Sequence, residues 1–131
     1  VVASAHGAAV AGGCALIAAA DIVVTNTDAK LGYPVVRLGI SPAVNAPTLR
    51  AIIGDGPTRT RSLDPALIDG REALRIGLAH YLADTPAACE AIAIKLAQRR
   101  IRPAHVIAWS LWRRAHQAEA RHAHLKRKAQ L

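Results

Sequence analysis

The spacing of apolar residues changes several times along the chain, and each change marks an element. Val1–Ala5 is a short β-rich run that stops at the turn pair His6-Gly7. From Ala11 to Ala20 the sequence A-G-G-C-A-L-I-A-A-A has helical propensity, with small residues at its start. Asp21 then opens I-V-V-T, an unbroken β-branched run typical of a buried strand. Asn26-Thr27-Asp28 reads as a turn, and Ala29–Gly32 as a second short strand. Strand, glycine-rich turn, helix, strand is a βαβ unit, so the sheet is expected to be at least partly parallel.

After Gly39 the texture becomes helical. Pro42 and Pro47 are expected to flank a loop, and Thr48–Ile53 to form a short helix ending at Gly54-Asp55-Gly56. Pro57 suits a first helical position, giving a helix to Leu63 that stops before Asp64-Pro65. Asp69-Gly70 leads into R-E-A-L-R-I-G, two helical turns with Gly77 as C-cap. His80-Tyr81-Leu82 is extended, and Thr85 caps a helix with Pro86 in its first turn that runs over Ala87–Arg100. Pro103 starts a last helix with the apolar stripe Ala104, Ala108, Leu111, Trp112, Ala115, Ala118 and Leu125. The division that follows is a partial α/β core over residues 1–64 and a mainly helical C-terminal region over 65–131.

Composition limits what this pattern can build. With 131 residues and 52% apolar side chains, one modest core is available and two full domains are excluded. Aromatics are only 3%, so close packing of Ala, Val, Ile and Leu fills the interior. Charge is uneven: residues 1–94 hold seven bases against eight acids, whereas 95–131 hold ten bases and one acid, Glu119. Cys14 and Cys89 cannot make a disulfide framework and lack metal-ligand spacing, so they read as buried thiols in a reducing compartment. The opening Val-Val-Ala-Ser has no signal-type pattern, and the apolar stretch Ala8–Val24 is too short to span a bilayer, which needs about 20 residues. The expectation is a cytoplasmic chain that is a fragment of a longer one, with no membrane partner.

Two blocks carry a resemblance. H-G-A-A-V-A-G-G-C-A-L-I-A-A-A-D-I followed by D-A-K-L-G-Y-P-V-V-R-L-G-I-S-P, together with D-G-R-E-A-L-R-I-G-L-A-H-Y-L, resembles the crotonase superfamily, the enoyl-CoA hydratase/isomerase family. The likeness covers residues 1 to about 100 and matches the C-terminal half of a family member. It implies a crotonase-like α/β fold with a ββα-type spiral core, an acyl-CoA thioester as substrate with no further cofactor, and lyase or isomerase chemistry in fatty-acid metabolism. In such a site a helix N-terminus presents a backbone N–H to the thioester carbonyl and stabilises the enolate oxyanion. By resemblance Gly12 supplies that donor, flanked by Ala11 and Gly13, while Pro34, Leu38 and Ala43 line the acyl site. A close helix–strand contact that simply needs small residues is the plain alternative.

The departures matter as much. Family hydratases place two glutamates where this chain has Ala15 and Val35, and neither side chain can move a proton. The family's A-x-A-G-x-D segment, which supplies the other oxyanion donor, has no counterpart in the sequence. Tyr33 as a proton donor and Asn45 as a carbonyl anchor are weaker candidates, beside Arg37 and Ser41, with loop packing as their alternative. His6 suits a turn hydrogen bond, and Asp21 a helix end or structural hydrogen bond.

The tail offers little chemistry. His105, His116, His122 and His124 have no completing cluster, so no metal site is expected. Arg113, Arg114, Arg121, Lys126, Arg127 and Lys128 could meet nucleic acid or CoA phosphates, although a solvated helix face is the commoner outcome. By resemblance the C-terminal helices cover the acyl pocket and join subunits into a trimer or pair of trimers, with Trp109 and Trp112 as anchors. Three readings stay open. They are an acyl-CoA-binding crotonase-family chain without hydratase activity, a non-catalytic remnant or oligomer-forming subunit, and a basic nucleic-acid-binding protein.

Overall fold

The computed structural model describes residues 1–99. The expected final helix, the tail histidines and bases, and Trp109 and Trp112 lie outside the described residues. Residues Val1–Gln98 form one compact unit.

Two small parallel sheets organise that unit. The first has the order β1 (Val2–Ala5), β3 (Ile22–Asn26), β5 (Tyr81–Ala83), all parallel, with Val2 opposite Ile22 and Val24 opposite Tyr81. The second pairs β2 (Ala8–Val10) with β4 (Lys30–Gly32), also parallel, with Val10 opposite Gly32. The β-branched run at Ile22 is therefore the central strand of its sheet, as its composition predicts. Strand β2 was not anticipated: its Ala-Ala-Val has no alternation to announce it, and pairing with β4 makes it a strand.

Helices cover both faces of β3, because successive strand residues point to opposite sides. Val23 faces a core built from Ile17, Tyr33, Leu49 and Leu78, whereas Val24 faces Ala83, Cys89, Ala93 and Leu96. The first core is closed by α1 (Gly12–Ala18), α2 (Ala46–Ile53) and α4 (Gly70–Arg75). The second is closed by α5 (Pro86–Gln98), which buries Cys89, Ala93 and Leu96 at helical spacing. Between α2 and α4 runs α3 (Asp55–Leu63), followed by a strap in which Ile68 exchanges two backbone bonds with Leu31 (2.8 and 2.9 Å).

Several local expectations hold at the residue level. Asp69 caps α4 by accepting the Glu72 N–H at 2.8 Å, Thr85 accepts the Ala88 N–H at 3.1 Å, and Gly77 ends α4 with φ +82°. Others need correction. Pro47 sits inside the first turn of α2 rather than bordering a loop, and Pro57 is the third residue of α3 rather than the first. Proline lacks only an N–H that first-turn positions leave unbonded anyway, so both placements are permissible. Pro34–Leu38 forms a 3₁₀ turn to which the sequence reading assigned no element. His6 makes no turn bond; its Nε2 lies 3.1 Å from Glu90 Oε1 on α5.

Gly70 shows how tightly α4 meets the first sheet. A Cβ on Gly70 would lie 2.0 Å from the Asn26 carbonyl oxygen, so only glycine lets the helix start there. Among the described residues no helix is long and apolar enough to cross a membrane, and no group of three or more His, Cys, Asp or Glu could hold a metal ion.

Candidate functional site

The carboxyl ends of β2 and β4 leave their sheet side by side, and each turns into a helix. The Ala11 N–H donates to the Gly32 carbonyl at 2.9 Å, pinning the two exits together. From that point β2 passes into α1 and β4 passes through Tyr33 into the Pro34–Leu38 turn. Ligands of parallel α/β sheets bind outside the carboxyl ends of the strands, where helix N-termini converge.

Ala11 bears the cost of the turn. Its φ of 51° and ψ of −113° make it the one described non-glycine residue with positive φ. An L side chain is strained in that region, by roughly 1–3 kcal/mol. The reversal lets α1 begin at Gly12, one residue after the Ala11 start expected from the sequence, and the helix ends at Ala18 rather than Ala20. Ala15 N–H already closes the first helical bond to Ala11 O at 3.1 Å. The N–H groups of Gly12 and Gly13 precede that bond, and among the described residues neither donates to a backbone carbonyl. They are first-turn donors, and Gly12 is exposed. A Cβ at Gly12 would meet nothing within 4 Å, so the surface on the Cα side of this residue is open.

No carboxylate stands in either segment. The helix G-G-C-A-L-I-A and the turn P-V-V-R-L contain no acid, and Arg37 is their only charge. Ala15 and Val35 are half-buried, and Val35 packs against the first core. Pro34 is half-buried, while Leu38 is 76% exposed and Ala43 is exposed on the following loop. Asn45 sits at the start of α2, where its carbonyl accepts the Leu49 N–H at 3.0 Å and its side chain makes no capping bond. The structure thus brings Ala11, Gly12, Gly13 and Pro34 to one corner.

Tyr33 turns inward. It is 1% exposed, and its hydroxyl has no hydrogen-bond partner although the Cys14 thiol is its neighbour. Burial pushes the Tyr33 phenol well above its ordinary 10.0, and the Cys14 thiol adds to the shift. Burial likewise raises the Cys14 thiol above 9.0, outweighing the favourable contacts to Tyr33 and to the Gly32 backbone. Both groups are neutral near pH 7. Sequence reasoning missed this pair because Cys14 and Tyr33 are distant in the chain and meet only when β2 and β4 pair.

The comparisons agree on the family of the chain. The profile of the family described as enoyl-CoA hydratase/isomerase matches residues 1–130. A Thermus thermophilus protein whose provisional name is enoyl-CoA hydratase is 36% identical over 89 residues, covering 68% of this chain and 35% of that protein. A short-chain-enoyl-CoA hydratase of Clostridium acetobutylicum is 33% identical over 85 residues, covering 64% of this chain and 33% of that one. An enoyl-CoA hydratase structure from Mycobacterium paratuberculosis superposes with a TM-score of 0.77 at 23% identity, covering 93% of this chain and 56% of that chain, and shows the shared fold. The chain spans about a third of the length of the curated relatives it matches.

Proposed function

From the premise that the chain belongs to the enoyl-CoA hydratase/isomerase family, with its crotonase fold, we propose that it binds an acyl-CoA thioester at the start of α1 without hydrating it. The open Gly12 N–H is the observation that carries this reading. A thioester oxygen placed before Gly12 meets a backbone donor at the positive end of a helix, with no Cβ in the way. One donor of this kind is worth about 3–4 kcal/mol when negative charge develops on the oxygen. Ala11 and Gly13 shape the approach, and Pro34, Val35, Leu38 and Ala43 offer apolar surface to the acyl chain. Tyr33, shut in the core and neutral, supports the wall rather than delivering a proton.

Hydration needs more than polarisation. A water must lose one proton and the α-carbon must gain one, and positioned acid–base groups accelerate such transfers by roughly 10²–10⁴-fold each. By the resemblance, Ala15 and Val35 take the positions of the family's glutamates, and in support no acid lies on α1 or on the turn after Tyr33. Enolate stabilisation survives while water activation is lost. Assembly into trimers or pairs of trimers through the C-terminal region is the family's arrangement, and we propose it for this chain too.

The test is a spectrophotometric crotonyl-CoA assay. No hydration above background is expected, and Ala15→Glu/Val35→Glu is expected to raise it only when the rest of the family fold is supplied. Turnover by the unmodified chain would overturn the proposal.

A further inference from the structure

One cation of α3 bonds to the strap rather than to solvent. The Arg61 side chain is only 14% exposed, and it lies one helical turn after buried Thr58. Its Nη2 donates to Asp64 Oδ2 at 3.1 Å and its Nη1 to the Ala66 carbonyl at 3.1 Å. Asp64 Oδ1 accepts the Ala66 N–H at 2.9 Å. The pair thus grips Ala66 by both of its backbone polar groups. A planar guanidinium, with donors in a fixed fork, suits two partners held at once. Glu72, the α4 carboxylate that feels the Arg61 charge, is already bound twice by Arg75 at 2.6 Å.

The strap so held presses on β4. Ile68 is locked to Leu31 by its two backbone bonds, and the residues before it lie over Gly32. A Cβ on Gly32 would stand 3.4 Å from Ala66 O, the same oxygen that Arg61 holds, and 3.2 Å from Leu67 Cδ2. On its other side the Gly32 carbonyl accepts the Ala11 N–H at 2.9 Å, the bond that ties the Ala11 reversal to β4. A continuous line of contacts therefore runs from the guanidinium through the Ala66 carbonyl and Gly32 to Ala11, one residue before Gly12.

We propose that Arg61 is a positioning residue for the β2–β4 corner. By fixing the Ala66 carbonyl over Gly32 it keeps the Gly32 carbonyl where the Ala11 N–H bonds it, and so sets the direction of the Gly12 N–H. Arg61 touches no substrate; it acts through the strap and β4. What the corner binds rests on the acyl-CoA reading, whereas the clamp itself is a property of the ligand-free chain.

Amide hydrogen exchange and the ¹H–¹⁵N spectrum of residues 1–131 test it. Arg61→Leu keeps the apolar stem and removes both donors, and Arg61→Lys keeps the charge but loses the fork. Arg50→Leu, which breaks the ion pair to Asp55 at the other end of α3, is the control. In Arg61→Leu the Ala11 amide is expected to exchange about tenfold faster, the equivalent of one hydrogen bond to a charged group. The Gly12 resonance should shift, the β3 amides should keep their rates, and butyryl-CoA should bind about tenfold more weakly. Arg61→Lys should fall between Arg61→Leu and the unaltered chain, and Arg50→Leu should leave Ala11 and Gly12 unmoved. Unchanged Ala11 exchange and Gly12 shift in Arg61→Leu overturn the proposal. So does a quickening of all amides together, or the same change in Arg50→Leu, since either marks a general loss of stability. Where Arg61→Leu does not fold, Arg61→Lys gives the same readings. If the unaltered chain binds no butyryl-CoA, the acyl-CoA reading falls, and the Ala11 exchange rate still decides for or against the clamp.

Discussion

At the carboxyl end of the three-stranded sheet each strand is tied off by its surroundings, whereas the two-stranded sheet leads into first-turn donors that, among the described residues, have no backbone acceptor. Ala5 O receives the Thr25 hydroxyl at 2.8 Å, Ala83 O receives the Thr27 N–H at 3.1 Å, and Asn26 O receives the Ala29 N–H at 3.1 Å with Gly70 pressed against it. His80 seals the other end of β3: its N–H donates to Val23 O and its Nδ1 accepts the Val23 N–H, each at 2.9 Å. At the β2–β4 corner one bond, Ala11 to Gly32, joins the strands before the backbone reverses through a strained alanine. Both sheets are parallel and flanked by short helices. The difference separates strand ends closed by bonds within the chain from a corner that is left exposed at Gly12.

The largest expected effect falls on the sealed sheet. Gly70→Ala forces a methyl group into the Asn26 carbonyl, and a backbone atom cannot swing aside as a side chain could. A loss of roughly 3 kcal/mol is expected by denaturant unfolding, and an unchanged midpoint would break the contrast. Thr25→Val keeps the shape but removes the buried hydroxyl that donates to the Ala5 carbonyl. About 2 kcal/mol should be lost in the same measurement.

At the open corner the sign reverses. Ala11→Gly releases the strain at φ 51° and should stabilise the chain by about 1 kcal/mol after glycine's own entropic cost. Destabilisation there would mean that the Ala11 methyl is needed for packing, and the corner would lose its character as a strained turn.

Tyr33→Phe carries the smallest effect at pH 7, within about 1 kcal/mol and on the stabilising side, because the hydroxyl it removes is buried without a partner. The alkaline limb gives the sharper reading. A folded-state pKa above the unfolded one contributes stability that is complete below the unfolded value and lost as pH rises toward the folded value. For Tyr33 and Cys14 that loss sets in as pH climbs past their ordinary 10.0 and 9.0. Tyr33→Phe should flatten the decline above pH 10, and Cys14→Ala the decline above pH 9. Identical alkaline profiles for all three proteins would contradict the burial of this pair.

Much of this architecture was legible because it rests on local rules. I-V-V-T announced a buried strand, Asp69 and Thr85 announced their helices, and the small residues after Val10 announced a helix start. What escaped was non-local. The Ala-Ala-Val of β2 becomes a strand only through β4, and the Cys14–Tyr33 contact follows from that pairing. The inward turn of Tyr33 could not be read from a loop-like context. The strain at Ala11 was also hidden, since the sequence shows a small residue before two glycines and gives no hint that the reversal precedes them.

The central claim is that the Gly12 N–H is free to bind a thioester oxygen, and the Gly12 amide resonance of ¹⁵N-labelled chain reports on it directly. On titration with butyryl-CoA, which offers no double bond to hydrate, the Gly12 proton is expected to move downfield saturably as it enters a hydrogen bond. The Gly70 amide, already bonded to Thr27 O at 3.3 Å, should stay in place. A Gly12 resonance that remains fixed while butyryl-CoA is bound, or an absence of binding, would contradict the account.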